Sequence, residues 1–142
     1  MPNNNQFKMK YIRFVNMKFS QNKPIENIDN IKLGIGLAVA YLIYRDNSEV
    51  QLDMQLKVEL IDTNDDIIWG LETKLSSFFE FSADFDKEEL RQLLPMLYLH
   101  SKPVIIHMAC ISDIPLFTLP DLDFNDKNIE LIDISENNKT NN

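Results

Sequence analysis

The sequence has little cysteine, few positive charges and no long apolar run. Its single cysteine, Cys110, excludes an internal disulfide and a cysteine-rich zinc module, and it fits a reducing compartment. Lys and Arg number 14 against 22 Asp and Glu, and the resulting charge of −8 argues against nucleic acid as the main partner. The longest apolar run, Leu33 to Tyr44, is shorter than the roughly 20 residues that a membrane-spanning helix needs. With no signal-like N-terminus, we expect a cytoplasmic protein without membrane insertion.

The composition is that of one folded domain. Hydrophobic residues make up 44% of the 142 residues and charged residues 25%, close to the average of soluble globular proteins. Acidic residues are concentrated towards the C-terminus, and the last residues are polar and of low complexity. We therefore predict a single domain over residues 1–124, followed by an acidic polar tail over residues 125–142.

Alternating apolar and polar residues predict strands in the first part of the chain. Val50 to Leu60 alternates strictly, which is typical of a strand with one buried and one solvated face. Tyr11 to Phe19 alternates less cleanly, with Val15, Met17 and Phe19 expected on one face. Further strands are expected over Leu33 to Tyr44 and from Ile67. We predict four antiparallel strands in sequence order.

Helices are expected after the strands. Asp86 is a candidate N-cap, and leucines from Leu90 to Leu97 recur at the spacing of one helical face. Pro95 predicts a break or the start of a second helix, which would end near Ile111 and be kinked or divided at Pro103. The fold class is therefore α+β: a four-stranded antiparallel sheet followed by two helices packed on one face.

Residues capable of chemistry are few. His100, His107 and Cys110 would share one face of an unbroken second helix, where they could bind zinc or form a nucleophile–base pair. No fourth ligand is evident, and Pro103 lies between the two histidines. We therefore expect no enzyme activity, no catalytic residue, no bound metal and no cofactor, and we keep a site at these three residues as the alternative.

The segment from Ile114 to Phe124 contains many apolar residues and two prolines, Pro115 and Pro120. This composition is typical of an extended arm. Two interpretations remain open. The arm either covers the domain's own helix or forms an apolar surface for another polypeptide.

The stretch from Leu94 to Phe124 resembles the C-terminal signature of the SecB protein-export chaperone family. The family's Leu-x-Pro-x-x-Phe ending reads Leu119 to Phe124 here, and its Gly-Phe-Pro turn corresponds to residues 113–115. The upstream strands are similar to the family's in hydrophobicity and proline placement. The resemblance implies a diverged SecB-like protein.

By this resemblance, the protein would be a homotetramer, a dimer of dimers that binds unfolded or non-native polypeptides in a hydrophobic groove. The crossing loop, the second helix and the arm would line the groove, with the residues Ile25, Ile28, Ile105, Met108, Leu116, Phe117 and Leu119. The alternative is a SecB-fold scaffold with one dedicated protein partner, such as a chaperone associated with a toxin–antitoxin pair.

The resemblance leaves binding to the SecA motor open. SecB proteins contact SecA through acidic residues on the sheet surface, and only Glu72 matches one of them here. Asn16, Ser20 and Gly70 occupy other such positions. A role in protein transport and a contact through Glu72 are therefore the weaker part of the expectation.

Overall fold

The computed structural model describes residues 6–22, 31–112, 114 and 118–134. These residues form one mixed sheet, one α-helix and short 3₁₀ helices at Arg45–Asn47 and Lys87–Leu93. The bounds of the longer elements are β1 Phe7–Gln21, β2 Lys32–Tyr44, β3 Glu49–Ile61, β4 Ile67–Phe81, α1 Leu94–Ile111 and β5 Leu131–Asp133.

The strand order in the sheet is β1-β4-β3-β2-β5. β5 is parallel to β2, and the other neighbours are antiparallel. The prediction of four strands in sequence order was therefore wrong in number and order, because β1 pairs with β4 rather than with β2. The fifth strand lies within the predicted tail. Its three residues are too few to show a periodic pattern, yet Leu131 is buried opposite Val39.

The alternation predicted for β3 is confirmed. Every second residue from Val50 to Leu60 is buried and faces α1. Their partners on β4 include Trp69, Leu71 and Phe79, which are buried on the same face. The centre of the core is therefore the β3–β4 pair.

β1 contains two β-bulges. Lys10 and Val15 have no partner on β4, so the register shifts once after Met9 and again after Phe14. A bulge adds one residue and reverses the side-chain phase of the strand that follows. Val15, predicted to share a face with Met17 and Phe19, is the extra residue of the second bulge, which explains the uneven alternation in the sequence.

The register assigns the rest of β1 to two faces. The residues opposite the β4 residues that face α1 lie on that same side and are Phe7, Met9, Ile12, Phe14, Met17 and Phe19. The intervening paired residues lie on the other side, which we call the outward face of the sheet: Lys8, Tyr11, Arg13, Asn16, Lys18 and Ser20.

The prediction of two α-helices was wrong, because one α-helix follows a 3₁₀ segment. Asp86 caps the 3₁₀ segment, its carboxylate accepting a hydrogen bond from the backbone N–H of Glu88 at 3.3 Å. Pro95 starts α1 because the first turn of a helix needs no N–H donor there. Pro103 lies inside α1 and is exposed, so water can reach the carbonyl group that it leaves unpaired.

The helical segment Lys87–Ile111 packs on the sheet. By length and composition alone it could cross a membrane, a property that core helices also have. Leu90, Leu94, Leu97 and Ile105 are fully buried against the sheet and the arm. The segment is therefore a core helix of this domain, with one apolar side turned inward.

The described part of the arm has no regular secondary structure and covers the domain's own helix. Ile114, Leu119 and Phe124 are buried in the core. The guanidinium group of Arg91 donates to the backbone carbonyls of Phe124, at 3.2 Å, and Asp126, at 3.3 Å. Of the two interpretations of the arm, these residues support the one in which it closes its own core.

Candidate polypeptide-binding surfaces

The predicted groove residues fall into three groups. Ile25, Ile28, Leu116 and Phe117 lie outside the described residues. Ile105 is fully buried on α1 and Leu119 is 7% exposed in the arm, so both belong to the core of the single chain. Met108 is half-buried at the edge of that core. Among the predicted lining residues that the structure describes, Met108 is therefore the accessible one.

A second apolar surface, which sequence reasoning missed, lies on the helix side of β1. Met9, Met17 and Phe19 are 38%, 40% and 47% exposed, and Ile12 and Phe14 beside them are half-buried. We call these five residues the β1 apolar strip. It is open because α1 packs over β4. Contiguous apolar surface of this kind usually marks an interaction site.

The solvent side of α1 is also apolar. Leu99 and Ile111 are each 63% exposed. Pro103, Ile106 and Cys110 lie between them at helical spacing, and we call these five residues the α1 outer stripe. The helix carries a single Lys and no Asp, Glu or Arg. The Lys102 ammonium lies 4.8 Å from the centre of the Tyr98 ring and 3.5 Å from Asp121 Oδ1, on the flank of the stripe.

Among the described residues, the structure places no further metal-binding side chain beside His100 and His107 that would complete a metal site. His100 Nδ1 lies 3.0 Å from the backbone carbonyl of Met96, one turn earlier in α1. His107 and Cys110 are exposed on the same helix. Within the described part of the chain, no group of three His, Cys, Asp or Glu side chains could hold a metal ion.

Glu72 lies on the outward face, between two lysines in the register. Its partners are Lys18 on β1 and Lys57 on β3. The carboxylate accepts a hydrogen bond from the side-chain amide of Gln55. The surface around Glu72 is thus mixed in charge, and the role predicted for Glu72 in partner binding stays a prediction.

An aromatic cluster that the sequence did not reveal lies at the other end of the outward face. Tyr11 stacks on Phe78 with ring centres 4.7 Å apart, and Phe78 lies 6.3 Å from Tyr44. The Arg13 guanidinium lies 5.7 Å from the centre of the Tyr11 ring. The three rings come from β1, β4 and β2, so the cluster becomes visible only once the strand order is known.

Among the residues that the structure describes, Lys10 and Tyr98 have shifted pKa values. A hydrogen bond from Lys10 Nζ to Glu49 Oε1, 2.7 Å long, and the charge of that carboxylate raise the pKa of Lys10. Burial, and secondarily the charge of Asp121, raises the pKa of Tyr98. The Tyr98 hydroxyl group therefore remains a hydrogen-bond donor in the folded protein beyond the pH at which a free tyrosine ionises.

The fold is similar to that of a SecB-like chaperone of known structure, which confirms the resemblance at the level of the fold. A solved structure from Mycobacterium tuberculosis, the SecB-like chaperone Rv1957 in complex with a ChAD peptide from the Rv1956 HigA1 antitoxin, matches with a TM-score of 0.72. The match covers 84% of this chain and 92% of that chain at 11% sequence identity. No family model and no curated protein matches the sequence.

Proposed function

We propose that this protein is a cytoplasmic SecB-like chaperone that binds unfolded or non-native polypeptides through apolar surface, without catalysis and without a cofactor. The observation that carries the proposal is the match in fold to a chaperone whose structure holds a bound peptide. Two apolar surfaces of this chain, the β1 apolar strip and the α1 outer stripe, are consistent with it. Methionine side chains at positions 9, 17 and 108 are suited to varied clients because they adapt their shape.

The groove predicted from the sequence requires the arm to move. Ile105 and Leu119 are buried in the single chain, and the arm that contains Leu119 is held to α1 by a hydrogen bond from the Tyr98 hydroxyl to the Pro120 carbonyl. A client would reach Leu119 after residues 118–120 leave α1, whereas Met108 is already accessible. Client binding would then release the arm from the helix.

Assembly into a dimer of dimers would cover apolar surface that the single chain exposes. β1 forms one edge of the sheet among the described strands, and an open edge favours pairing with another strand. The β1 apolar strip and the α1 outer stripe lie on the same side of the sheet as α1. A second pair of chains would bury both. The role in protein transport through SecA rests on Glu72 alone.

The test is light scattering of the protein alone, with a reduced unfolded client, and with the same client in its native form. A tetramer that captures only the unfolded form would support general chaperone function. Met108→Ser should weaken capture severalfold, and Lys57→Ser on the outward face is the matched control. If the protein does not bind the unfolded client, the proposal is overturned.

A dedicated partner is the second candidate, favoured because the matching structure holds a peptide from one antitoxin. Under this function, a panel of unrelated unfolded clients would bind weakly. One polypeptide recovered by pull-down would bind tightly, and Met108→Ser would affect that ligand alone. Equal affinity for all clients in the panel would exclude it.

A further inference from the structure

The aromatic cluster on the outward face has no role in the function proposed above. Tyr11 and Tyr44 are 43% and 37% exposed, although their rings belong to a stacked row with Phe78. The row lies on the face opposite α1, so a client held beside the helix or the arm would not touch it. We call Tyr11, Phe78 and Tyr44 the aromatic platform.

The charge beside the platform is opposite in sign to that of the protein. β1 contains Lys8, Lys10, Arg13 and Lys18 and no acidic residue, whereas the whole chain carries −8. Lys8, Arg13 and Lys18 form no ion pair with any described residue. β1 therefore presents three cations on the outward face that form no ion pair with a described carboxylate.

Three carboxylates of the same face already contact a lysine. Glu49 and Glu80 lie 2.7 and 3.8 Å from Lys10 Nζ, and Asp53 lies 3.9 Å from Lys74 Nζ. Asp53 also accepts a hydrogen bond of 2.6 Å from the Ser76 hydroxyl. These contacts pair Glu49, Glu80 and Asp53 with lysines and leave Lys8, Arg13 and Lys18 as cations available to a partner.

From this arrangement we infer that the platform and the cations of β1 form a docking surface for an acidic polypeptide segment carrying an aromatic or large apolar side chain. Arg13 is held over the Tyr11 ring, which orders its guanidinium group for a carboxylate. Tyrosine and arginine are the residue types that most often dominate protein interfaces. Lys8 and Lys18 lie along the same strand on either side of Arg13 and can pair with further carboxylates.

A polypeptide fits this surface better than a nucleic acid. The net charge of −8 repels a polyphosphate over distances that reach beyond the platform, and five carboxylates share the outward face with its cations. A short acidic segment needs only the local charge. Pairing of the β1 edge with a second copy uses backbone groups and would leave the outward face accessible.

The test uses the full chain and a fluorescent synthetic peptide in which Glu and Ser alternate around a central Phe. Anisotropy should show saturable binding that weakens with added salt, and a peptide with Lys in place of Glu should bind at least about tenfold more weakly. Equal binding of the two peptides, or none, would overturn the inference.

Matched variants locate the site. Arg13→Glu and Tyr11→Ser should each weaken binding of the acidic peptide by about tenfold. Lys57→Glu makes the same charge change as Arg13→Glu, on the same face but away from the rings. It should weaken binding of the acidic peptide much less. Equal effects would indicate nonspecific charge attraction and contradict the inference. Arg13→Gln provides the same comparison if circular dichroism shows that Arg13→Glu disturbs folding.

Two further outcomes are decisive. Capture of an unfolded client should be unchanged in Arg13→Glu, because the client surface lies on the opposite face of the sheet. The docking surface and the chaperone function can therefore fail independently of each other. If an oligothymidine binds more tightly than the acidic peptide and displaces it, the ligand of this surface is a single-stranded nucleic acid, and the inference of a polypeptide ligand is overturned.

Discussion

The hydroxyl group of Tyr98 on α1 donates a hydrogen bond of 2.6 Å to the backbone carbonyl of Pro120 in the arm. The Tyr98 ring also packs edge-on against Phe124, with ring centres 5.7 Å apart. One side chain thus holds the arm at two points, Pro120 and Phe124.

Tyr98→Phe should therefore loosen the arm without unfolding the domain. It removes one hydrogen bond and keeps the ring contact, so we expect a loss of about 1 kcal/mol in the free energy of unfolding. Urea titration measures this loss, and hydrogen exchange should be faster at residues 118–124. The control is Tyr44→Phe, whose exposed hydroxyl donates to Gln51 at 3.2 Å and should contribute little. Equal losses in the two variants would contradict the role given to Tyr98.

The same hydroxyl group predicts a dependence on alkaline pH. Because the pKa of Tyr98 is raised above its ordinary value of 10.0 in the folded protein, its contribution to stability is fully present below pH 10.0. The contribution is lost as the pH rises through the folded pKa, since the unfolded chain then releases the proton more readily. The stability difference between the native protein and Tyr98→Phe should shrink at high pH. A stability difference that does not change with pH would contradict the raised pKa of Tyr98.

Arg91 is expected to hold the chain between the arm and β5. The residue is 8% exposed, and its guanidinium group bonds two backbone carbonyls and the Glu88 carboxylate. Arg91→Met should cost about 2 kcal/mol because it leaves these acceptors without their charged donor. Hydrogen exchange should also show weaker protection at Leu131–Asp133. Lys87→Met, on the exposed side of the same 3₁₀ segment, is the control and should leave both measurements nearly unchanged.

Assembly should depend on the β1 apolar strip. Met17→Lys places a charge on the helix side of β1 at a position that is 40% exposed in the single chain, so the domain should still fold. If a second copy covers the strip, the mass measured by light scattering should fall. Asn16→Lys adds the same charge to the neighbouring outward-facing position and should keep the mass. An unchanged mass in Met17→Lys would exclude the strip from the assembly interface.

The residues predicted to line the groove show what a sequence pattern can predict and what it cannot. The apolar residues of the arm were identified from the sequence, which left open whether they cover the domain's own helix or bind another polypeptide. An apolar side chain shows the same sequence pattern in both cases. Leu119 is the example: it was predicted to line a groove and is a 7% exposed residue of the arm. An exposed apolar surface that was not predicted lies on β1, where the helix does not reach.

The sequence by itself determined the local elements. Strict alternation from Val50 to Leu60 marked β3, Asp86 marked the start of the helical segment, and the proline and apolar pattern after Leu94 led to the SecB-like fold. These are properties of neighbouring residues, whose period and capping follow from the backbone. Tertiary structure alone decided that β1 lies beside β4, that β5 extends the sheet and that Tyr11 meets Phe78. Strand partners and bulges depend on contacts between residues far apart in the chain, and no local pattern encodes them.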